Sequence, residues 1–311
     1  MNRSLIKELK ENGITKISGW AEKIRDTKYM IFIILKDRSG KIQVSIDKKE
    51  QASIVEALNG ILPNSVLSFT GKMVLSEYVK DGGKEFLPTE IEILSKSEAL
   101  PLDENADIDT RLDYRWIDLR SAKNELMLKV QAAFVDGMRT FLISKDFTEI
   151  HTPKLIATAS ESGSEVFEVK YFDRLAYLAQ SPQFYKQMAI ASGLERVFEL
   201  APAFRAENSN TNRHATEFTS FDLEFAYIDS YEDVMDMEED LLIAGLQKVK
   251  ELYGKKIKEL FDQEVIIPKK PFPRIKLQDL YQELHKRYGY EIPEHVIGDM
   301  NAEAVKLTSK Y

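Results

Sequence analysis

The sequence contains no cysteine among its 311 residues, which excludes disulfides, cysteine-ligated zinc and thiol catalysis. Long apolar stretches are missing too. IFIIL is among the longest runs, far too short to cross a bilayer, and the opening MNRSLIKELKENG has no signal core. The expectation is a cytoplasmic protein with no membrane association. Nor is there an excess of positive charge: the formal net charge is −8, which argues against a generally basic nucleic-acid binder. A local basic groove on an acidic body is still compatible with that total, because a phosphate feels the local field. His151, His285 and His295 show no metal-ligand spacing and read as core or surface residues. With 43% hydrophobic and 30% charged residues, the chain suits a globular protein of about two domains.

Among what is present, the run FRAENSNTNRHATEFTSFDLE, 204–224, organises the rest. Strand-like alternation at both ends and a polar middle predict a β-hairpin with a long tip. Side chains two apart on a strand share a face. Arg205 and Glu207 thus point one way on the first strand, and Phe218, Ser220, Asp222 and Glu224 on the second, with Arg213 and His214 at the tip. Arginine forks a phosphate and an aromatic face stacks a base, so the surface suits a nucleotide. The alternative is a solvated hairpin whose Arg and Glu pair with each other.

Taken in order, residues 1–98 give five candidate strands with a helix at 50–58 between the third and fourth, the pattern of an OB-fold barrel. Arg25, Lys28, Lys36, Arg38 and Lys41 surround Tyr29 and Phe32, a mixture that suits unpaired bases. Phe32 in the core is the alternative. Residues 99–118 read as a hinge. From Asn124 to Ser144 apolar steps of three and four predict an amphipathic helix, followed by the short strand FTEIHTP. The small-residue segment ATASESGSE reads as a surface loop. In LAYLAQSPQFYKQMAIAS, Ser181 caps a helix with Pro182 in its first turn, and Gln183, Lys186 and Gln187 share a face. GLER, 193–196, reads as a helix end entering a strand, and a long helix is predicted over Tyr231–Tyr253. Another helix is predicted within PKKPFPRIKLQDLYQELHKRYG.

The hairpin run resembles motif 2 of class II aminoacyl-tRNA synthetases, in the version of the archaeal and eukaryotic aspartyl and asparaginyl enzymes. RDTKYMIFIILKDRSGKIQV is similar to their anticodon-binding barrel, and RLDYRWIDLR to the lead-in of their catalytic domain. The implied fold is α+β: an OB-fold barrel over 1–98, a hinge over 99–118, and a partial class II catalytic domain over 119–311, an antiparallel sheet flanked by helices. Arg25, Phe32 and Gln43 match positions that contact anticodon bases, although the family usually has glycine near Lys28 and Tyr29. The helix and strand ending at Pro153 match motif 1, which implies a homodimer. Glu161 matches the flipping-loop glutamate that approaches the substrate ammonium. Ser181, Gln183 and Lys186 match the aspartate-binding QSP element, the lysine meeting the side-chain carboxylate.

The implied partners are L-aspartate, ATP and tRNA, and in the implied reaction an aspartate α-carboxylate oxygen attacks the α-phosphorus of ATP, releasing pyrophosphate and giving aspartyl-adenylate, whose aspartyl group then passes to a terminal hydroxyl of tRNA. Arg205 would bridge the two anions, Phe218 would stack on adenine, and Arg213 and His214 would approach the outer phosphates. Glu207 would contact the adenine side or the tRNA end, and Asp222 would hold the ammonium. Magnesium is implied by the phosphate charge, with no metal ligand assigned in this chain. Lys186, unpaired before a carboxamide, argues for aspartate over asparagine, as does FTSFDLE, because asparaginyl relatives carry a Trp version with glutamate in place of Asp222. The family's acidic magnesium strand and motif 3 have no counterpart here, so the expectation is a fragment of a longer parent. Alternatives are an asparaginyl-tRNA synthetase, a truncated tRNA-binding paralogue without catalysis, and a stand-alone nucleic-acid module. Whether tRNA(Asn) is charged as well as tRNA(Asp) is left open.

Overall fold

Alternating β-branched residues shape the first hundred positions. The computed structural model describes residues 2–79, 83–103, 105–160, 166–207 and 215–310. In it β1 (Ile14–Asp26), β2 (Met30–Lys36), β3 (Lys41–Asp47), β4 (Val66–Leu75) and β5 (Lys84–Ser95) close into a barrel of order β1-β2-β3-β5-β4. Along β2, Ile31, Ile33 and Leu35 point inward while Phe32, Ile34 and Lys36 point out. They join Ile17, Val44, Ile46, Leu67, Phe69 and Phe86 in one core, each contributing about 1.5–3 kcal/mol of burial. Helix α1 (Ala52–Ala57) adds Ile54 to it. Phe32 is therefore an outward residue rather than a core one. The turn at Thr27–Tyr29 closes with Thr27 Oγ1 donating to the Met30 carbonyl at 2.7 Å. No residue of that turn has a positive φ, so it forms without the glycine usual in the family.

The hinge expected at 99–118 is partly helical, with α2 at Ile108–Asp113 and α3 at Arg115–Asp118. Local polar bonds replace apolar periodicity there. Asp107 accepts from the Thr110 N–H at 2.9 Å, capping α2. Asp118 is buried between Arg111, 2.9 Å away, and Arg115. The chain divides into two compact units, Met1–Asp118 and Leu119–Tyr311.

In the second unit, the amphipathic helix is α4 (Ala122–Ser144). After it come β6 (Thr148–Glu149), β7 (Leu155–Ile156), β8 (Glu168–Tyr171), β9 (Arg174–Leu178) and α5 (Gln183–Ala189). A wider helical turn, Ile190–Leu194, leads into β10 (Arg196–Phe204), and β11 (Glu217–Phe225) returns antiparallel to it. The sheets have the orders β11-β10-β6, with β6 parallel to β10, and β7-β9-β8. Helix α6 runs Tyr231–Phe261, eight residues beyond the expected end, and α7 (Leu277–Tyr288) and α8 (Ala302–Thr308) follow. The last was not anticipated. Met138, Leu142, Phe147, Phe198 and Leu241 form the core between the hairpin and helices α4 and α6. Two glycines let those helices touch. A Cβ on Gly137 would lie 2.8 Å from the Ala244 carbonyl oxygen, and one on Gly245 would lie 2.7 Å from the Phe134 ring.

Candidate active site on the hairpin

The register of the hairpin sorts its side chains into two faces. Phe198 pairs with Leu223 and Leu200 with Phe221, and the face they share carries the stacked rings of Phe198 and Phe221, 5.8 Å apart, into the core. On the opposite face Val197 pairs with Glu224, Glu199 with Asp222, Ala201 with Ser220 and Ala203 with Phe218. Reading along that face gives a charged end, a floor of small residues and an aromatic end. The floor is made of the small residues Ala201, Ala203 and Ser220, with Ala203 buried.

At the aromatic end, the Arg205 guanidinium carbon lies 5.5 Å from the Phe218 ring centroid. The Arg205 N–H donates to the Thr216 carbonyl at 2.9 Å. Strand β10 ends at Phe204, so Arg205 and Glu207 lie just past the regular pleat and alternation does not orient them. The Arg205 Nε is buried with no hydrogen-bond partner among the described residues, and such a donor is costly until an acceptor arrives. Glu161, Arg213 and His214 lie outside the described residues.

At the charged end, Lys186 reaches over from α5. Its Nζ donates to Asp222 Oδ1 at 2.7 Å and sits 3.3 Å from Glu224 Oε2, with only 13% of the lysine side chain exposed. Burial alone would lower the Lys186 pKa, but the hydrogen bond and charge of Asp222, and then those of Glu224, raise it above the ordinary lysine value. The helix begins at Gln183, one residue later than expected, and Ser181 Oγ accepts the Gln183 N–H at 3.2 Å. The bond to Asp222 revises the charge argument for aspartate. Lys186 already has two carboxylate partners, so a carboxamide would not leave it unpaired.

Glu199, 3% exposed, was not singled out from the sequence. It accepts from the Thr152 N–H at 2.6 Å, the Thr152 hydroxyl at 2.8 Å and Lys154 Nζ at 2.9 Å. The only signal was register, since Glu199 stands opposite Asp222 once the hairpin is paired. Among the described residues no three His, Asp or Glu side chains converge as a metal site.

The barrel carries a separate polar face. Arg25 pairs with Phe32 and Phe32 with Ser45 across three strands, and the Arg25 guanidinium lies 4.6 Å from the Phe32 ring centroid. Gln43 Nε2 donates to Ser45 Oγ at 3.1 Å, and Ser45 donates to Glu85 at 2.5 Å. The three expected base-contacting residues therefore share the outward face of one sheet region, joined by Ser45 and Glu85, which sequence reading did not select.

Comparison with known proteins bears on both units. A family model described as tRNA synthetases class II (D, K and N) matches residues 107–310, and one for the OB-fold nucleic acid binding domain matches residues 15–94. The aspartate–tRNA(Asp) ligase of Pyrococcus horikoshii is 41% identical over 308 residues, spanning 95% of this chain and 68% of the relative. The aspartate–tRNA(Asp/Asn) ligase of Methanopyrus kandleri is 40% identical over 307 residues, spanning 94% of this chain and 71% of the relative. Among solved structures, an asparaginyl-tRNA synthetase from Pyrococcus horikoshii complexed with asparaginyl-adenylate matches with a TM-score of 0.91 at 30% identity. That match covers all of this chain and 73% of the other.

Proposed function

The chain belongs to the class II aminoacyl-tRNA synthetases, and on that premise we propose that it serves aspartate–tRNA ligation: activation of L-aspartate by ATP and transfer to tRNA(Asp). One observation carries the reading. An arginine with an unmet buried donor and a lysine held by two carboxylates stand at opposite ends of one small-floored hairpin face.

Both partners in the first step are anions, so the residues must position them and neutralise charge. Arg205, lying over the ring of Phe218, bridges the aspartate α-carboxylate and the α-phosphate, with Nε supplying its free donor, while Phe218 stacks on adenine. At the other end Lys186 and Asp222 form a salt bridge. Aspartate carries an ammonium and a side-chain carboxylate, and it inserts by exchange: Asp222 turns to the ammonium while Lys186 takes the carboxylate. Glu224 keeps its hold on the lysine throughout. Ser181 and Gln183 lie at the start of the helix that carries Lys186 and complete the amino-acid end, with Glu161 approaching from its loop. Arg213 and His214 take the outer phosphates, and Glu207 faces the adenine side. The family uses magnesium to screen phosphate charge; among the described residues no three His, Asp or Glu side chains converge to hold it. Arg25, Phe32 and Gln43 read anticodon bases by stacking and edge contacts. A second copy of the chain docks along the segment at Pro153.

Calorimetric titration of the chain with a non-hydrolysable aspartyl-adenylate mimic tests the proposal. A saturable one-to-one isotherm is expected, lost in Arg205→Ala, and no binding would overturn it. The second reading, asparagine as substrate, draws on the doubly paired Lys186 and on the 30%-identical asparaginyl structure. The aspartate ligases stand nearer, at 41% identity. Tighter binding of the asparaginyl mimic than of the aspartyl mimic would reverse the choice.

A further inference from the structure

Beside the Lys186 pair lies a second pair that the proposed chemistry leaves unused. Lys154, immediately before the short strand β7, extends to Glu199, and Glu199 stands directly opposite Asp222 in the hairpin ladder. Directly opposed side chains approach to roughly 4.5–5.5 Å at Cβ. Lys154, Glu199 and Asp222 also border one tightly packed cleft, together with Ser220 and Pro182. The charged end is thus two ion pairs set carboxylate to carboxylate, Lys154 with Glu199 and Asp222 with Lys186, and Glu224 stands beyond the second lysine.

The order has a consequence for Asp222. Two lysines flank it, one bound to it and one bound to its neighbour across the ladder. With Glu199 bonded to it, Lys154 is occupied, and Asp222 has Lys186 to release when an ammonium arrives. Without that carboxylate, Lys154 would be a partly buried cation, 24% exposed, bordering the same cleft as Asp222 and with no counter-charge of its own. An uncompensated charge in such a place seeks the nearest partner of opposite sign.

We infer that Glu199 is a positioning residue for amino-acid binding: by holding Lys154 it keeps Asp222 available to the substrate ammonium. This rests on the reading of Asp222 as the ammonium-binding carboxylate. Its reach is to the amino-acid end alone, leaving nucleotide contacts at Arg205 and Phe218 unchanged.

The experiment is a variant cycle on the whole chain, titrated by calorimetry with the non-hydrolysable aspartyl-adenylate mimic. Glu199→Gln keeps an oxygen able to accept the Thr152 N–H but releases Lys154, and affinity is expected to fall about tenfold, the scale of one charge-assisted hydrogen bond. Adding Lys154→Met removes the competing cation, and the double variant is expected to recover to within about twofold of wild type. A role limited to anchoring Thr152 would not be rescued by deleting the lysine. Should the single variant fail to fold, the double variant decides, and a tenfold loss there overturns the inference. Wild-type binding with an unaltered Glu199→Gln also overturns it, leaving the broader reading intact. No wild-type binding at all overturns both.

Discussion

Lys186 is the residue on which the site turns, and its surroundings make its removal testable without any ligand. Lys186→Met leaves Asp222 and Glu224, 17% and 31% exposed, facing the same void as two like charges. The expected cost is about 2 kcal/mol at neutral pH, read by urea denaturation followed by far-UV circular dichroism. The raised lysine pKa adds a pH signature: from neutral pH upward the wild-type pair keeps its contribution as far as the ordinary value of 10.5 and loses it as pH climbs through the higher folded value. The deficit of Lys186→Met should therefore shrink in the strongly alkaline range, and a deficit unchanged there would contradict the pairing. At this scale the sequence was half legible. Period-two alternation put Asp222 and Glu224 on one face, and helical spacing put Lys186 on one face with Gln183 and Gln187. It gave no sign that the three would meet, because 36 residues separate Lys186 from Asp222. Lys154 and Glu199 are 45 residues apart and sit in unremarkable contexts.

Among the elements, helix pair α4 and α6 supports the hairpin from behind, and its contact passes through two positions with no side chain. Gly245→Ala should destabilise by about 1–3 kcal/mol, since the new methyl meets the Phe134 ring at 2.7 Å. Gly254→Ala is the counterpart on the same helix. Its nearest neighbour would be the flexible Lys250 side chain at 3.5 Å, so it should stabilise by about 0.5–1 kcal/mol from helix propensity alone. Thermal melts of the two variants, moving in opposite directions, check the assignment. Gly254 also explains why sequence reading stopped α6 at Tyr253. A glycine followed by lysines resembles a helix end, yet here Asp262, in a left-handed conformation, ends the helix. Helices α2 and α3 were missed for a different reason: capping and ion pairs hold them, and neither leaves an apolar period.

On the scale of the whole molecule, the barrel core and the core behind the hairpin share no residues. Both tryptophans, Trp20 and Trp116, fall in the first unit, while the two longest helices, α4 and α6, fall in the second. Tryptophan fluorescence and helical circular dichroism should therefore melt at different urea concentrations, a departure from two-state behaviour. Superimposable curves would mean that the units unfold as one. The division into a β-rich first part and an α+β second part was plain from the sequence, because strand alternation and helical period rarely mimic each other over long stretches. The small terminal cluster of Leu280, Leu284 and Ala304 was not, since its helices are short and highly charged.

The pitch of β11 has one more implication. From Phe218 to Asp222 the strand advances four residues, roughly 13 Å at the usual rise, and hydrogen bonds to β10 keep that span from stretching. The ribbon is a ruler. On the proposed reading a free amino acid would reach one mark and a free nucleoside the other, each leaving half of the gauge unread. Only the joined molecule would touch both marks at once, and the fixed distance between them would distinguish it from its halves.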